Sequence, residues 1–213
     1  MERRDAVRPS VRLLIVAVVA AGGLSACGRD GSESTSAANG RPAAAPAEAT
    51  ATTVPTTAPC TFSGGTAEAE GNRDSLTRLL TDVRVGAHGC YERVTFEFKP
   101  QTGEADGPVA WHAAYEAAPI TEDGSGRTVP VKGAAFLVVR FSAAGADLSR
   151  EAAPATYTGP ASLEAADATR VRQVRRIGDF EGVLTWVIGI DQQRPFRVTT
   201  QDNPARVVVD VGD

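Results

Sequence analysis

The stretch Tyr91-Glu92-Arg93-Val94-Thr95-Phe96-Glu97-Phe98 alternates without a break. Val94, Phe96 and Phe98 fall on one side, and Arg93, Thr95 and Glu97 on the other. A period of two cannot form the stripe of an amphipathic helix. It specifies a strand with one face buried and one face wet. The same reading extends along the chain. Residues 79–85 alternate and lead through a turn at 86–89 into the first stretch, making a hairpin. Residues 108–115 put Val109, Trp111, Ala113 and Tyr115 on one side, and Val129 and Val131 suggest a short strand. Residues 134–141 are almost continuously apolar, as a central strand requires, and 182–190 read as a buried strand around Trp186. Residues 196–200 and 206–211 flank a turn at Gln201-Asp202-Asn203-Pro204 and form the clearest hairpin. Residues 161–177 stay open: Ser162 before Leu163-Glu164-Ala165-Ala166 suits the cap of a short helix, whereas Arg170 to Arg175 alternates like an edge strand. The pattern predicts an all-β chain, an antiparallel β-sandwich with room for one short helix.

The N-terminus is of another kind. Arg3, Arg4, Arg8 and Arg12 precede an apolar run at 13–23, too short for a permanent membrane span, and small residues then lead into a cysteine at Leu24-Ser25-Ala26-Cys27. The tetrapeptide resembles the bacterial lipobox, which implies cleavage before Cys27, a lipidated thiol and a place on the outer face of the cytoplasmic membrane. An ordinary secretory signal cut near Ala26 is the alternative. Asp5-Ala6-Val7 after Arg3-Arg4 does not fit a twin-arginine signal. The expected organisation is a signal peptide at 1–26, a lipidated Cys27 with an Ala/Thr/Pro/Ser-rich linker to 59, and one domain at 60–213. Such a linker cannot bury enough surface to fold. It reaches on the order of 110 Å fully extended and about 30 Å as a coil.

The chain carries a net charge of −4, and an acidic chain is poorly suited to nonspecific nucleic-acid binding. Cys60 and Cys90 are the only thiols left after Cys27, and two cysteines in an exported domain are expected to pair. The bridge would contribute about 3–4 kcal/mol in the chain-entropy picture. Catalytic patterns are scarce. His88 and His112 are the only histidines, no Gly-x-Ser-x-Gly occurs, and His88-Gly89-Cys90 has no second pair at zinc spacing, so no metal and no cofactor are expected. Asp179 and Glu181 read as solvated turn residues. The best candidates are binding residues. Arg170, Arg172, Arg175 and Arg176 concentrate positive charge that suits anionic wall polymers or headgroups, or else a solvated edge that discourages strand pairing. Trp111 and Trp186 can stack on sugar rings, although the apolar neighbours of Trp186 suit a core position.

Three stretches together resemble the AMIN-like domain of actinobacterial lipoproteins over roughly residues 75–212. They are residues 91–98, residues 178–190, and the closing pair of strands from Pro195-Phe196-Arg197-Val198 to Arg206-Val207-Val208-Val209-Asp210-Val211. Members often carry Asp where this chain has Glu92. The closing pattern is also similar to the wider AMIN family, whose β-sandwiches target amidases and secretins to the envelope and are thought to bind peptidoglycan. In those amidases a catalytic domain follows, whereas here residue 213 comes directly after the last strand. The resemblance thus implies a non-enzymatic module that binds peptidoglycan or a wall-associated protein. Arg93, Arg197 and Arg206 lie in the shared stretches. Ion pairs with Glu97, Glu181 or Asp210 are the first expectation for them and ligand contact the second. The rival functions are a lipid or glycolipid carrier, which needs a large apolar pocket, and a small wall hydrolase.

The anchor has a direct test: a Cys27→Ala variant should leave the membrane fraction, and its retention there would refute lipidation at this residue.

Overall fold

The computed structural model describes residues 60–213, and within them ten strands and no helix are found. The strands are β1 Ala69–Gly71, β2 Arg78–Ala87, β3 Tyr91–Lys99, β4 Trp111–Glu116, β5 Ala135–Ala144, β6 Ser162–Leu163, β7 Val171–Phe180, β8 Val183–Ile190, β9 Phe196–Gln201 and β10 Ala205–Gly212. They pair in the order β6-β7-β8-β5-β2-β3-β10-β9, with β4 also on β5 and β1 on β4. The link between β5 and β2 is only two residue pairs long, Arg78 with Ala143 and Leu79 with Ala144. On either side of it lie a four-stranded half (β2, β3, β10, β9) and a six-stranded half (β6, β7, β8, β5, β4, β1).

The two halves close on one another because their apolar faces share one core. Val94, Phe96, Phe98, Val207 and Val209 from the first half meet Leu137, Val139, Phe141, Leu184, Trp186 and Ile188 from the second. Phe96 is the hinge of this packing, with ring centroids 4.8 Å from Phe141 and 5.8 Å from Trp186. Burial of each such side chain contributes about 2–3 kcal/mol. A second apolar cluster, Ile120, Val129, Val138, Ile177 and Val187, lies on the other side of the six-stranded half, under the connection between β4 and β5. Both faces of β8 are therefore buried, which explains its unbroken apolar run. At Gly189 a Cβ would collide with the Lys132 carbonyl, so glycine is what lets this connection lie down on the sheet.

The β-sandwich expectation holds, with three corrections. The link between β5 and β2 is parallel, so the sandwich is mixed and not purely antiparallel. No helix forms at residues 161–177: Ser162 and Leu163 are a two-residue strand on Arg175 and Val174, Ser162 Oγ accepts a bond from Gln173 Nε2 at 2.9 Å, and Leu163 packs on the core. Val129 and Val131 form no strand. Nearby, Thr121 and Thr128 make an isolated bridge, Pro130 has no N–H to give, and the two valines are used as the lid of the second cluster. The described residues do contain the bridge between Cys60 and Cys90, with Cα atoms 5.0 Å apart. The signal peptide, Cys27 and the linker lie outside the described residues.

One charged residue points inward. Glu92 stands in the buried register of β3 between the halves, 1 % exposed. Its carboxylate accepts from the amides of Thr169 at 2.6 Å, Arg170 at 3.0 Å and Val171 at 2.6 Å, where β7 begins. It thus ties the two halves across the open end. Burial pushes its carboxyl up, but the amides of Val171, Thr169 and Arg170 outweigh that and hold it below its ordinary value.

Replacing Glu92 by Ala leaves three amides without a partner, that of Val171 buried and those of Thr169 and Arg170 partly so, so the unfolding free energy should drop by about 3 kcal/mol and Tm by roughly 10 °C. A loss under a third of that would show the tie to be dispensable. Because the carboxyl of Glu92 is depressed in the fold, its stabilisation is complete above the ordinary Glu value and fades as pH falls through the depressed one. The urea midpoint of the native protein should accordingly be flat from about pH 7 to 5 and decline below about pH 4, with a shallower decline in Glu92→Gln.

Candidate functional site

The outer face of the four-stranded half is a charged grid set by strand register. Arg93, Asp210 and Arg197 are direct neighbours across β3, β10 and β9, and Glu97, Arg206 and Gln201 form a parallel row. Asp210 is almost wholly covered. Arg93 grips it with Nε at 2.7 Å and Nη2 at 3.0 Å, and Arg197 adds Nη2 at 2.9 Å. Burial would raise the Asp210 carboxyl, but the two guanidiniums overcome it and hold it below the usual range. Arg206 Nε lies 2.9 Å from Glu97, which also receives Arg84 at 3.2 Å. Glu181 is remote from these residues and pairs with none of them.

The arginines at 170, 172, 175 and 176 do not make one patch. Arg170 is spent on Asp213 and stands 3.6 Å from Glu92. Arg172 is exposed. Arg175 reaches the Pro130 carbonyl at 3.1 Å on the outer side, beside Val187, while Arg176 lies in the Trp186 register, over the Tyr157 ring and 3.5 Å from Asp179. Alternation along the strand, shifted by irregularities at Val171/Gln173 and Arg176/Gly178, sends neighbouring arginines to opposite sides. Trp186 offers no face to a sugar. It is completely buried between Phe96 and Tyr157.

Trp111 is placed differently. It is half-buried at the start of β4 and pairs with Gly71 of the edge strand β1. A Cβ at Gly71 would strike the indole, 2.7 Å from Nε1, so this glycine lets the backbone lie on the ring. Beside Trp111 runs a groove of about 410 Å³. His112 and Arg140, cross-strand neighbours on β4 and β5, form its floor with Ser142. Arg73 also lines it, and Thr77 meets the tip of the β7–β8 hairpin, where a Cβ on Gly182 would lie 3.6 Å from Thr77 Oγ1. That tip is a two-residue turn with positive φ at both Glu181 (51°) and Gly182 (75°), the type I′ geometry that matches strand twist.

The groups in this groove are only partly spent. Arg140 gives Nη1 to Glu116 at 2.6 Å and has its other N–H donors to spare. His112 is 3.7 Å from Glu68. The hydroxyls of Thr77 and Ser142 are 3.5 Å apart, and Glu181 has no ion pair within the described residues. Val183, 44 % exposed, adds apolar rim. Donors and acceptors around this concave space suit a polar organic ligand such as a sugar or a short peptide, while the Trp111 indole itself packs against the core with Nε1 buried. A larger depression of about 680 Å³ includes Arg172, but Lys132 there is paired with Glu164 and Asp191 with Arg194, and no aromatic ring lines it. Among the described residues no group of three or more His, Cys, Asp or Glu is arranged to hold a metal.

His112, Arg140, Ser142 and Glu181 were not legible as partners of Trp111, because register alone brings them together from three separate segments. The model of the AMIN-like domain family matches residues 78–213, from the first residue of β2 through β10. No curated protein and no solved structure matches the chain. With most of its length under the family model, and with the shared strands forming the two faced halves of the sandwich, this chain belongs to the AMIN-like domain family.

Proposed function

We propose that this is an envelope protein, held to the outer face of the cytoplasmic membrane by a lipid on Cys27, whose domain binds peptidoglycan without cleaving it. The observation that carries the reading is the groove beside Trp111. It brings an incompletely used guanidinium, two hydroxyls and a carboxylate with no ion pair among the described residues together beside Trp111, in a space the size of a sugar unit with part of a stem peptide. Family membership supports it, since AMIN-like domains are in general extracytoplasmic, non-catalytic binding domains. A linker of about 30 residues would let the domain leave the membrane surface and reach the wall. A wall-associated protein as partner is the alternative occupant. A lipid or glycolipid carrier is disfavoured, because side chains such as Phe96, Phe141 and Trp186 fill the space between the halves.

Co-sedimentation of the purified full chain with sacculi stripped of secondary polymers tests the proposal. The native protein should pellet in a saturable way. Arg140→Gln, at the groove floor, and Trp111→Phe should weaken it about tenfold, a loss of roughly 1.4 kcal/mol, with circular dichroism unchanged. Failure of the native protein to pellet would refute peptidoglycan binding, and native-like pelleting of both variants would refute the groove.

A further inference from the structure

The charged outer face of the four-stranded half has more arginine than its own architecture needs. Arg93 already holds both oxygens of Asp210 and balances its charge, yet Arg197 closes on the same carboxylate from β9. The motif repeats along the sheet, where Glu97 takes both Arg206 and Arg84. Asp210 therefore stands between two guanidiniums and neutralises only one, while Arg84, beside Glu97, also pairs with Asp82 at 2.5 Å. Arg197 is 41 % exposed and Arg84 53 %, and Arg197 has Nε and Nη1 without a protein partner among the described residues.

Aromatic rings set the pose of one pair. The Arg93 guanidinium lies 5.1 Å from the Tyr91 ring centre and that of Arg197 5.2 Å from Phe62. Stacking of this kind leaves the donor edges of a guanidinium for an oxyanion. The face also contrasts with its surroundings. It carries five bases, Arg84, Arg93, Lys99, Arg197 and Arg206, against three acids, Asp82, Glu97 and Asp210. The rest of residues 60–213 carries eleven Lys and Arg against eighteen Asp and Glu. An anion approaching the domain is steered here. Arg93 and Glu97 are four steps apart on β3, so the Arg93–Arg197 row and the Arg206 row stand about 13 Å apart along the strand. Between them lie Thr95, Val208 and Thr199, with Arg84 at the β2 end of that middle row and its side chain turned to Glu97 and Asp82.

We infer that this face is a second binding surface, for an extended polyanion whose repeating phosphodiester groups bridge the Arg93–Arg197 and Arg84–Arg206 pairs. Arginine forks match phosphate oxygens in geometry, and two pairs on a flat sheet recognise a linear chain better than a single ion. The site is separate from the groove beside Trp111 and does not depend on it.

The test uses the purified full chain and a synthetic glycerol-phosphate oligomer, by titration calorimetry across a salt series. Saturable binding is expected at about 50 mM salt, weakening steeply as salt rises through counterion release. The double variant Arg84→Gln with Arg197→Gln should bind at least tenfold more weakly, and its log–log salt slope should shrink by about one per arginine removed. Both arginines are well exposed; Asp210 keeps Arg93 and Glu97 keeps Arg206, while Asp82 gives up its bond to Arg84. Thr199→Glu, at the exposed centre of the face, gives an independent variant with the same expected loss. Arg172→Gln with Arg175→Gln, on the other half, should bind as the native protein does. Absence of binding at low salt, equal loss in the Arg172/Arg175 variant, unchanged affinity in the Arg84/Arg197 and Thr199 variants, or binding to phosphatidylglycerol vesicles in place of the oligomer would each overturn the inference.

Discussion

A carboxylate in the wrong register governs this fold. Position 92 of β3 faces the core, where an ionised side chain is tolerated only if its oxygens are fully bonded. The amides at the start of β7 supply those bonds, and in doing so they fix where β7 begins. Once its first residue is fixed, the pairing of β7 with β8 follows, and with it the position of the Glu181–Gly182 turn at the far end. That turn is one side of the groove beside Trp111. The hairpin is ten residues long on one strand and eight on the other, so a one-residue slip at Glu92 would move the rim of the groove by about 3.4 Å and turn every side chain over.

The same economy of charge appears on the outside. Asp210 and Glu97 are held by arginines from neighbouring strands, and the arginines shield Val208 between the rows, which is only 3 % exposed although it faces outward. Ion pairs on a surface are worth little individually. Here the carboxylate of Asp210 is buried, which turns part of a surface pair into a strong local constraint. It also leaves excess guanidinium at the surface, and a fold that needs only charge balance has no use for that excess.

Strand identity was legible wherever alternation or a long apolar run was dominant. The paired faces of β3, the buried run of β8 and the closing hairpin of β9 and β10 all follow from side-chain period. The failures share a cause. Val129 and Val131 have strand-like residues, but Pro130 between them removes a donor, and the apolar cluster of Ile177 and Val187 offered them a better use than a ladder. Ser162 resembled a helix cap because local sequence cannot show that Leu163 is drawn into the core. β1 has no apolar pattern at all. It exists because Gly71 can lie against the Trp111 indole. The arginines from 170 to 176 looked like a patch in one dimension, and the pleat with its two irregularities dispersed them.

The groove was the least legible part, and the reason is geometric. Its groups come from the segment around β1, from β4 and β5, and from the β7–β8 turn, which are neighbours only through cross-strand pairing. Trp111 could be nominated from its residue type, but its companions His112 and Arg140 are ordinary polar positions on the wet side of their strands. The family match begins at residue 78, so Gly71, Arg73 and Thr77, which also line it, lie outside the matched segment. The shared sandwich therefore supplies the residues from β4, β5 and the β7–β8 turn, while this chain's own residues before β2 supply the rest of the lining, with Thr77 against the turn at Gly182. If the groove takes wall fragments as proposed, selectivity among them should reside in residues 70–77, where a change of side chain alters the shape of the groove without disturbing the tie at Glu92.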